Sequence, residues 1–329
     1  MTSASTGAAP PSWRARFASG AAVRLESLIV LAVLCVTMAM LSNAFLSVSN
    51  VLNILLSTSV FGTLAIGMTF VISSAGIDLS VGSILALSGV VGAILTSNLE
   101  LPWWIGVLGC LATGSLTGAL NGFLVTKAAI PPFIVTLGML GIARGFALVL
   151  SNGISIYGLP PEIVWLGQGR PFGVPTPVIV LLLAALVAHV LLAHTRFGVY
   201  AQVIGDNEGA ARAMGVGVKR MKVLIYTLSG LLSGLAGLLF AARVNSGEPT
   251  AGLSYELTAI TATILGGTNL FGGRGSVLGT LIGALIMGVL QNGLNLMAVR
   301  PFYQQIAIGA VLILAVWLDR INSKEGWRR

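Results

Sequence analysis

The sequence predicts an all-α, polytopic membrane protein with about ten transmembrane helices and both termini cytoplasmic, and three observations predict it. Hydrophobic residues make up 56% of the 329 positions and charged residues only 9%, against about 25% charged in ordinary soluble domains. Apolar runs of about 20 residues, the length that crosses a bilayer, recur along nearly the whole chain. Glycine is abundant at 42 residues, which suits helices packed closely in a membrane, where small residues let backbones approach. The net charge of +8 would point toward nucleic acid in a soluble chain; here membrane orientation accounts for it, and a nucleic-acid partner is excluded. Cys35 and Cys110 lie inside apolar runs without metal-ligand spacing and read as small hydrophobes.

Residues 1–24, rich in Ala, Ser and Pro and carrying Arg14, Arg16 and Arg24, read as a disordered cytoplasmic lead. The apolar run Leu28–Leu41 has the length of a signal-peptide core. A retained first span is preferred, because more spans follow at once and the polar lead is long. Runs at 51–73, 81–97, 103–126, 133–151 and 177–194 supply the next spans. Between the last two of these, residues 152–176 form the longest external segment, punctuated by Gly and Pro, with an amphipathic turn expected at Pro161–Leu166. After a charged loop at 205–222 come 223–242, a short run at 255–267, then 276–297 and 302–318. The transmembrane domain is thus 25–320 and the cytoplasmic tail 321–329. The run at 255–267 is too short to span alone, so it is either a tilted half-helix or borrows flanking residues. With this arrangement every basic residue except Arg144, Arg170, Arg243 and Arg300 is cytoplasmic, the asymmetry that the positive-inside rule expects.

The loop Gly205–Lys222 is where charge gathers: Asp206, Glu208, Arg212, Lys219, Arg220 and Lys222 lie between two long apolar runs. Its middle reads as a short helix. Asp206 is placed to cap the first amides, Glu208 sits in the positive first turn, Arg212 falls in the last turn, and Gly215 is suited to a left-handed close. A helix of about two turns is marginal alone in water and persists only if docked. The loop is therefore either a contact element for a soluble partner or a solvated segment made positive by topology.

Two interruptions break apolar runs in matching ways. Gly76-Ile77-Asp78-Leu79-Ser80-Val81-Gly82-Ser83 and the stretch from Gly266-Gly267-Thr268-Asn269-Leu270 to Gly275-Ser276 share G-x-[DN]-L followed by G-S. Unwound backbone at membrane depth is tolerated only where protein or a watery cavity covers it. The breaks either line a pathway or are tight cytoplasmic turns in which Asp78 and Asn269 cap the next helix. Asp78, flanked by Gly76 and Gly82, is expected to cap the third span together with Ser80, which gives it a role in gating geometry rather than proton transfer.

Neutral polar residues recur inside spans. Thr113, Thr117 and Asn121 share a helical face in the fourth span, and Gln291, Asn292 and Asn295 cluster in the ninth. Such faces either hydrogen-bond a polar solute in passing or glue helices together. Gly114, Gly118 and Gly122, Gly230 and Gly234, and Gly279 and Gly283 are small-xxx-small repeats and read as packing seams. No G-x-x-x-x-G-K-[ST] occurs, so the chain has no phosphate-cradling loop of its own, and any ATP coupling comes from a partner. His189 and His194 have no carboxylate beside them, and of the acidic residues only Asp78 and Glu256 fall within the bilayer thickness, too few for a proton relay. Neither an enzyme nor a bound cofactor is expected.

The run Ser74–Ser83, Asn121-Gly122 followed by Pro131-Pro132-Phe133-Ile134-Val135-Thr136-Leu137-Gly138, the stretch Phe197-Gly198 through Gly205-Asp206-Asn207, and Gly266-Gly267 through Gly275-Ser276 together resemble ribose-type sugar permeases over essentially all of the chain after residue 40. The resemblance implies the membrane subunit of a bacterial ATP-binding-cassette importer, resident in the inner membrane among lipid. Its implied partners are a cytoplasmic ATPase, a periplasmic sugar-binding protein and a second permease copy or close relative. It also implies that residues 206–214 form a coupling helix, with Asp206, Asn207, Glu208, Ala211, Arg212, Met214 and Gly215 in the ATPase contact. Pathway or gating roles then fall to Asp78, Ser80, Thr117, Asn121, Asn269, Gln291, Asn292 and Asn295. A pathway for an anion would keep basic groups despite a cost of about 2.5–3.5 kcal/mol each. Only Arg144 is clearly within a span, so a neutral pentose, hexose or polyol is expected. A cation-coupled secondary carrier shares the composition but would need no ATPase.

Overall fold

The computed structural model of the chain describes the backbone of residues 13–327 and the side-chain surroundings of residues 25–317. The first helix, α1 (Trp13–Leu41), is followed by α2 (Val48–Ser73), α3 (Val81–Ala93), α4 (Trp103–Lys127) and α5 (Pro132–Leu150). A short α6 (Pro161–Gln168) precedes α7 (Thr176–His194), α8 (Arg196–Asp206), α9 (Glu208–Ala213) and α10 (Val218–Val244). The chain ends with α11 (Tyr255–Leu265), α12 (Val277–Leu296) and α13 (Pro301–Trp327). A π-helical turn, Ile94–Asn98, continues α3.

Among the described residues, seven helices are long and apolar enough to cross a membrane: α2, α3 with its π turn, α4, α5, α7, α10 and α12. Leu25–Leu41 within α1, α11, and Pro301–Trp317 within α13 are shorter apolar helices at the positions of the other expected spans. The run expected at 255–267 is a half-helix. Ser254, in left-handed backbone, and Gly266 bound α11 at 11 residues, about 16 Å of rise against about 30 Å of hydrocarbon. Residues 1–12 of the expected disordered lead and 328–329 of the tail lie outside the described residues. The rest of that lead is not irregular: α1 starts at Trp13, because Ala and Arg are strong helix formers and no proline follows Pro11 before it.

The centre is α2. Every residue from Thr58 to Ser73 is buried, as are the residues of α3 from Val81 to Val90, the outcome expected of helices apolar all round. Around this pillar the glycine repeats make two seams. Along α4 and α10, a Cβ on Gly118 would approach Gly230 Cα to 2.9 Å, and one on Gly114 would approach Gly234 Cα to 2.8 Å. Along α11 and α12, a Cβ on Gly283 would lie 2.9 Å from Gly266 N. Side chains there would meet backbone, which has no rotamer to give way.

The segment expected to be external is ordered around α6 and supplies one half of the only strand pair among the described residues: Ile156–Tyr157 pair antiparallel with Ser246–Gly247. Two residues a strand is too short for periodicity to reveal.

Candidate functional site

The first break, between α2 and α3, encloses a buried polar cluster. Asp78 is fully buried. Its Oδ1 accepts from the Ser80 amide at 3.0 Å and the Ser80 hydroxyl at 2.6 Å, and its Oδ2 accepts from Ser229 Oγ of α10 at 3.1 Å. Asn121 of α4 donates through Nδ2 to Ser80 Oγ at 2.9 Å. The neighbouring Ile77 carbonyl accepts from Tyr226 OH at 3.3 Å and Thr136 Oγ1 at 3.2 Å. Three helices, α4, α5 and α10, thus hold one unwound segment. Asn121 Oδ1 is buried without a hydrogen-bond partner among the described residues, a feature that costs stability unless something completes it.

The cap expected of Asp78 is corrected by this geometry. The residue flanking α3 is Ser80, whose side chain makes no cap bond. The Asp78 carboxylate reaches only two residues on, closing a turn onto the Ser80 amide before the helix begins. The second break repeats the device: Asn269 Oδ1 accepts from the Phe271 amide at 2.9 Å, while Ser276 rather than Asn269 caps α12 through the Gly279 amide at 3.1 Å. Gly267, Gly272 and Gly273 there have φ of +82°, +92° and +81°, backbone that glycine adopts without a steric cost.

The charged loop folds as α8, a sharp corner, and α9. The expected Asp206 cap is corrected to Asn207. Extended backbone at Asn207 (φ −155°, ψ 100°) ends α8 at Asp206 and sets the Asn207 side chain over α9, where Oδ1 accepts from Ala210 N at 2.9 Å. Ala211 is fully buried against Ile204 and Val218 and docks the helix. Glu208 is bonded to Arg212 at 2.7 Å and to Lys222 of α10 at 2.6 Å. The Lys222 ammonium holds the Glu208 carboxyl below its usual value, with Arg212 adding to the effect and partial burial opposing it. Asp206, Asn207, Arg212, Met214 and Gly215 remain exposed, with Gly215 at φ +81° as the left-handed close.

The other sequence-selected polar residues divide. Asp78, Ser80 and Asn121 converge on one cluster. Thr117 Oγ1 turns back to the Thr113 carbonyl of its own helix at 2.7 Å. Asn292 pairs reciprocally with Asn50 of α2 at 2.8 and 2.9 Å, Gln291 Nε2 reaches Thr258 Oγ1 of α11 at 3.5 Å, and Asn295 Oδ1 accepts from Gln304 of α13 at 2.8 Å. These three bridge helices. Sequence reading overlooked Ser229, Tyr226, Thr136 and Asn50. The spacing of Tyr226 and Ser229, three apart beside Gly230 on the seam helix, is the signal that marks a polar face there. Arg144 of α5, half-buried, donates to the carbonyls of Pro249 at 2.6 Å and Ala251 at 2.8 Å, tying the fifth span to the segment before α11.

Comparison with known proteins adds to this geometry. The family described as branched-chain amino acid transport system / permease component matches residues 50–316. The ribose import permease protein of Escherichia coli K12 is 46% identical over 304 residues, covering 91% of this chain and 94% of that protein. Its counterpart in Bacillus subtilis 168 is 46% identical over 307 residues, covering 92% and 95%. The D-allose transport system permease protein of Escherichia coli K12 is 40% identical over 280 residues, covering 85% and 86%. No solved structure matches the chain.

Proposed function

Since this chain belongs to the family of the branched-chain amino acid transport system / permease component, we propose that it is the inner-membrane subunit of an ATP-binding-cassette importer that carries a neutral monosaccharide inward. The observation that carries this reading is the likeness to a ribose import permease along 91% of the chain. Ribose and D-allose, the substrates in the relatives' names, are uncharged and polyhydroxylated, so the substrate class is a pentose, hexose or polyol. Choice among them rests with a periplasmic sugar-binding protein.

The chain does no chemistry on the sugar. ATP is bound by a separate cytoplasmic ATPase, and α9 is the element on which that partner bears, through Asp206, Asn207, Glu208, Arg212, Met214 and Gly215. ATPase closure biases the spans between outward- and inward-open arrangements, a two-state element driven by differential contact. Ten spans with both termini cytoplasmic fit this use, with the three shorter apolar helices completing the set. A second permease copy or close relative completes the assembly in this reading. Asp78, Ser80 and Asn121 set the geometry of the moving break, with Asn269 in the same role at the other.

Exchanging the charges of α9, Glu208→Arg with Arg212→Glu, keeps an ion pair between positions 208 and 212 with its polarity reversed and sets a cation at 208 against Lys222. Co-purification of the ATPase with the permease is expected to fall and ATP-dependent uptake with it; unchanged association and uptake would refute the assignment of α9.

A further inference from the structure

We infer that Gly205 is the positioning residue through which α9 acts on both breaks at once, an inference that rests on the importer reading above. Three segments distant in sequence meet at this one glycine. Ser73 ends α2 and leads into the first break; Gly272 and Gly273 lie in the second break; Gly205 lies in the last turn of α8, immediately before the corner to α9. The two breaks are joined directly, since the Gly273 amide donates to the Ser73 carbonyl at 3.1 Å. Gly205 sits against both ends of that bond. A Cβ on it would strike the Ser73 carbonyl oxygen and lie 2.7 Å from the Gly273 nitrogen. From the other side, a Cβ on Gly272 would lie 2.9 Å from Gly205 Cα and 2.9 Å from the Ala75 methyl, and one on Gly273 would lie 3.2 Å from Asp206 Oδ1.

At Gly205 itself the contact is therefore backbone on backbone, with the short Ala75 and Asp206 side chains beside it and no long side chain to absorb a displacement. Packed interiors of this kind do not deform continuously. A shift of α9, carried through the two residues Asn207 and Asp206, moves Gly205, and Gly205 cannot move without moving the Gly273–Ser73 bond and hence both unwound segments. The symmetry of the breaks gives the arrangement its use. Each is held by a side-chain turn of the same kind, Asp78 onto Ser80 and Asn269 onto Phe271, and a single strut placed where they touch drives them in step.

The test uses the full transporter in proteoliposomes, with its ATPase and sugar-loaded binding protein. In Gly205→Ala the ATPase co-purifies at the wild-type ratio and hydrolyses ATP, but uptake per ATP falls about tenfold, within the range of coupling between two sites. Gly309→Ala, on α13 with nothing within 4 Å, serves as the control and keeps its uptake per ATP. An unchanged ratio in Gly205→Ala would overturn the inference while leaving the importer reading intact; a wild-type complex without ATP-dependent uptake would overturn the reading itself. Should the variant fail to insert, hydrogen exchange on the wild-type complex decides. Peptides covering 69–83 and 266–276 change protection together between nucleotide-free and ATP-trapped states, and a change in only one of them, or in neither, contradicts a shared strut.

Discussion

Asp78 and Ser229, far apart in sequence, are joined at 3.1 Å in the interior of the membrane domain, where the Ser229 hydroxyl donates to the carboxylate oxygen that Ser80 leaves free. That bond fixes the unwound segment between α2 and α3 to α10, the helix that emerges from the charged loop. The carboxylate is satisfied by one amide and two hydroxyls, with no ion pair among the described residues.

It follows that Asp78 acts as an acceptor. Asp78→Asn keeps an oxygen for the Ser80 amide and hydroxyl and is expected to retain substantial transport. Asp78→Ala takes the acceptor from the buried Ser80 amide and Ser229 hydroxyl and leaves the Ser80 hydroxyl with Asn121 alone, at about 1–3 kcal/mol for each unsatisfied group, and is expected to lower both thermal stability in detergent and uptake. Were Asn to abolish uptake as fully as Ala in a normally inserted protein, the negative charge itself would be required.

The α4–α10 seam makes a stability prediction. Gly118→Ala places a methyl 2.9 Å from Gly230 Cα, against backbone on a helix that has nowhere to retreat. A loss of about 1–3 kcal/mol, typical of overpacking, is expected in thermal unfolding of the purified chain. Gly309→Ala, which meets open space, leaves the midpoint in place. Equal midpoints for the two variants would mean that the helices are not as close as described.

Docking of α9 carries a pH dependence. Lys222, then Arg212, lower the pKa of Glu208 in the folded chain from an unfolded value of about 4.3. A depressed carboxyl contributes stability that is complete above the unfolded pKa and is lost as pH falls through the folded one. The partners are partly exposed, with side-chain exposures of 40% for Glu208 and 64% for Arg212, so the contribution is small and screened by salt. The difference in unfolding midpoint between wild type and Glu208→Gln is expected to be constant between about pH 6 and 8 and to shrink as pH falls below about 4, through the folded pKa. A difference that grew on acidification would contradict the pairing.

How far the sequence discloses this structure follows from the range of each interaction. Spans, seams and the two breaks are legible because they rest on run length, glycine spacing and local turn residues. The half-helix at α11 is legible too, since its length is local. The corner before α9 is legible only to within one residue: Asp206 and Asn207 are both competent caps, and the extended backbone at Asn207 decides between them. Tertiary partners are not legible at all. Nothing local pairs Asn292 with Asn50, or sets Ser229 against Asp78, and the choice between pathway and glue turns on those partners. The helix from Trp13 carries no apolar periodicity in its first turns, so the pattern does not mark it, although Ala and Arg favour helix without it.

The central claim is that this permease moves its sugar on ATP hydrolysed by a partner. Its most direct test is uptake of a labelled monosaccharide into proteoliposomes holding the chain, its ATPase and a loaded binding protein, with and without ATP and with a protonophore. Uptake that requires ATP hydrolysis and survives the protonophore is the result predicted. Uptake by the chain alone, independent of ATP and abolished by collapsing the ion gradient, would contradict the account and make the protein a secondary carrier.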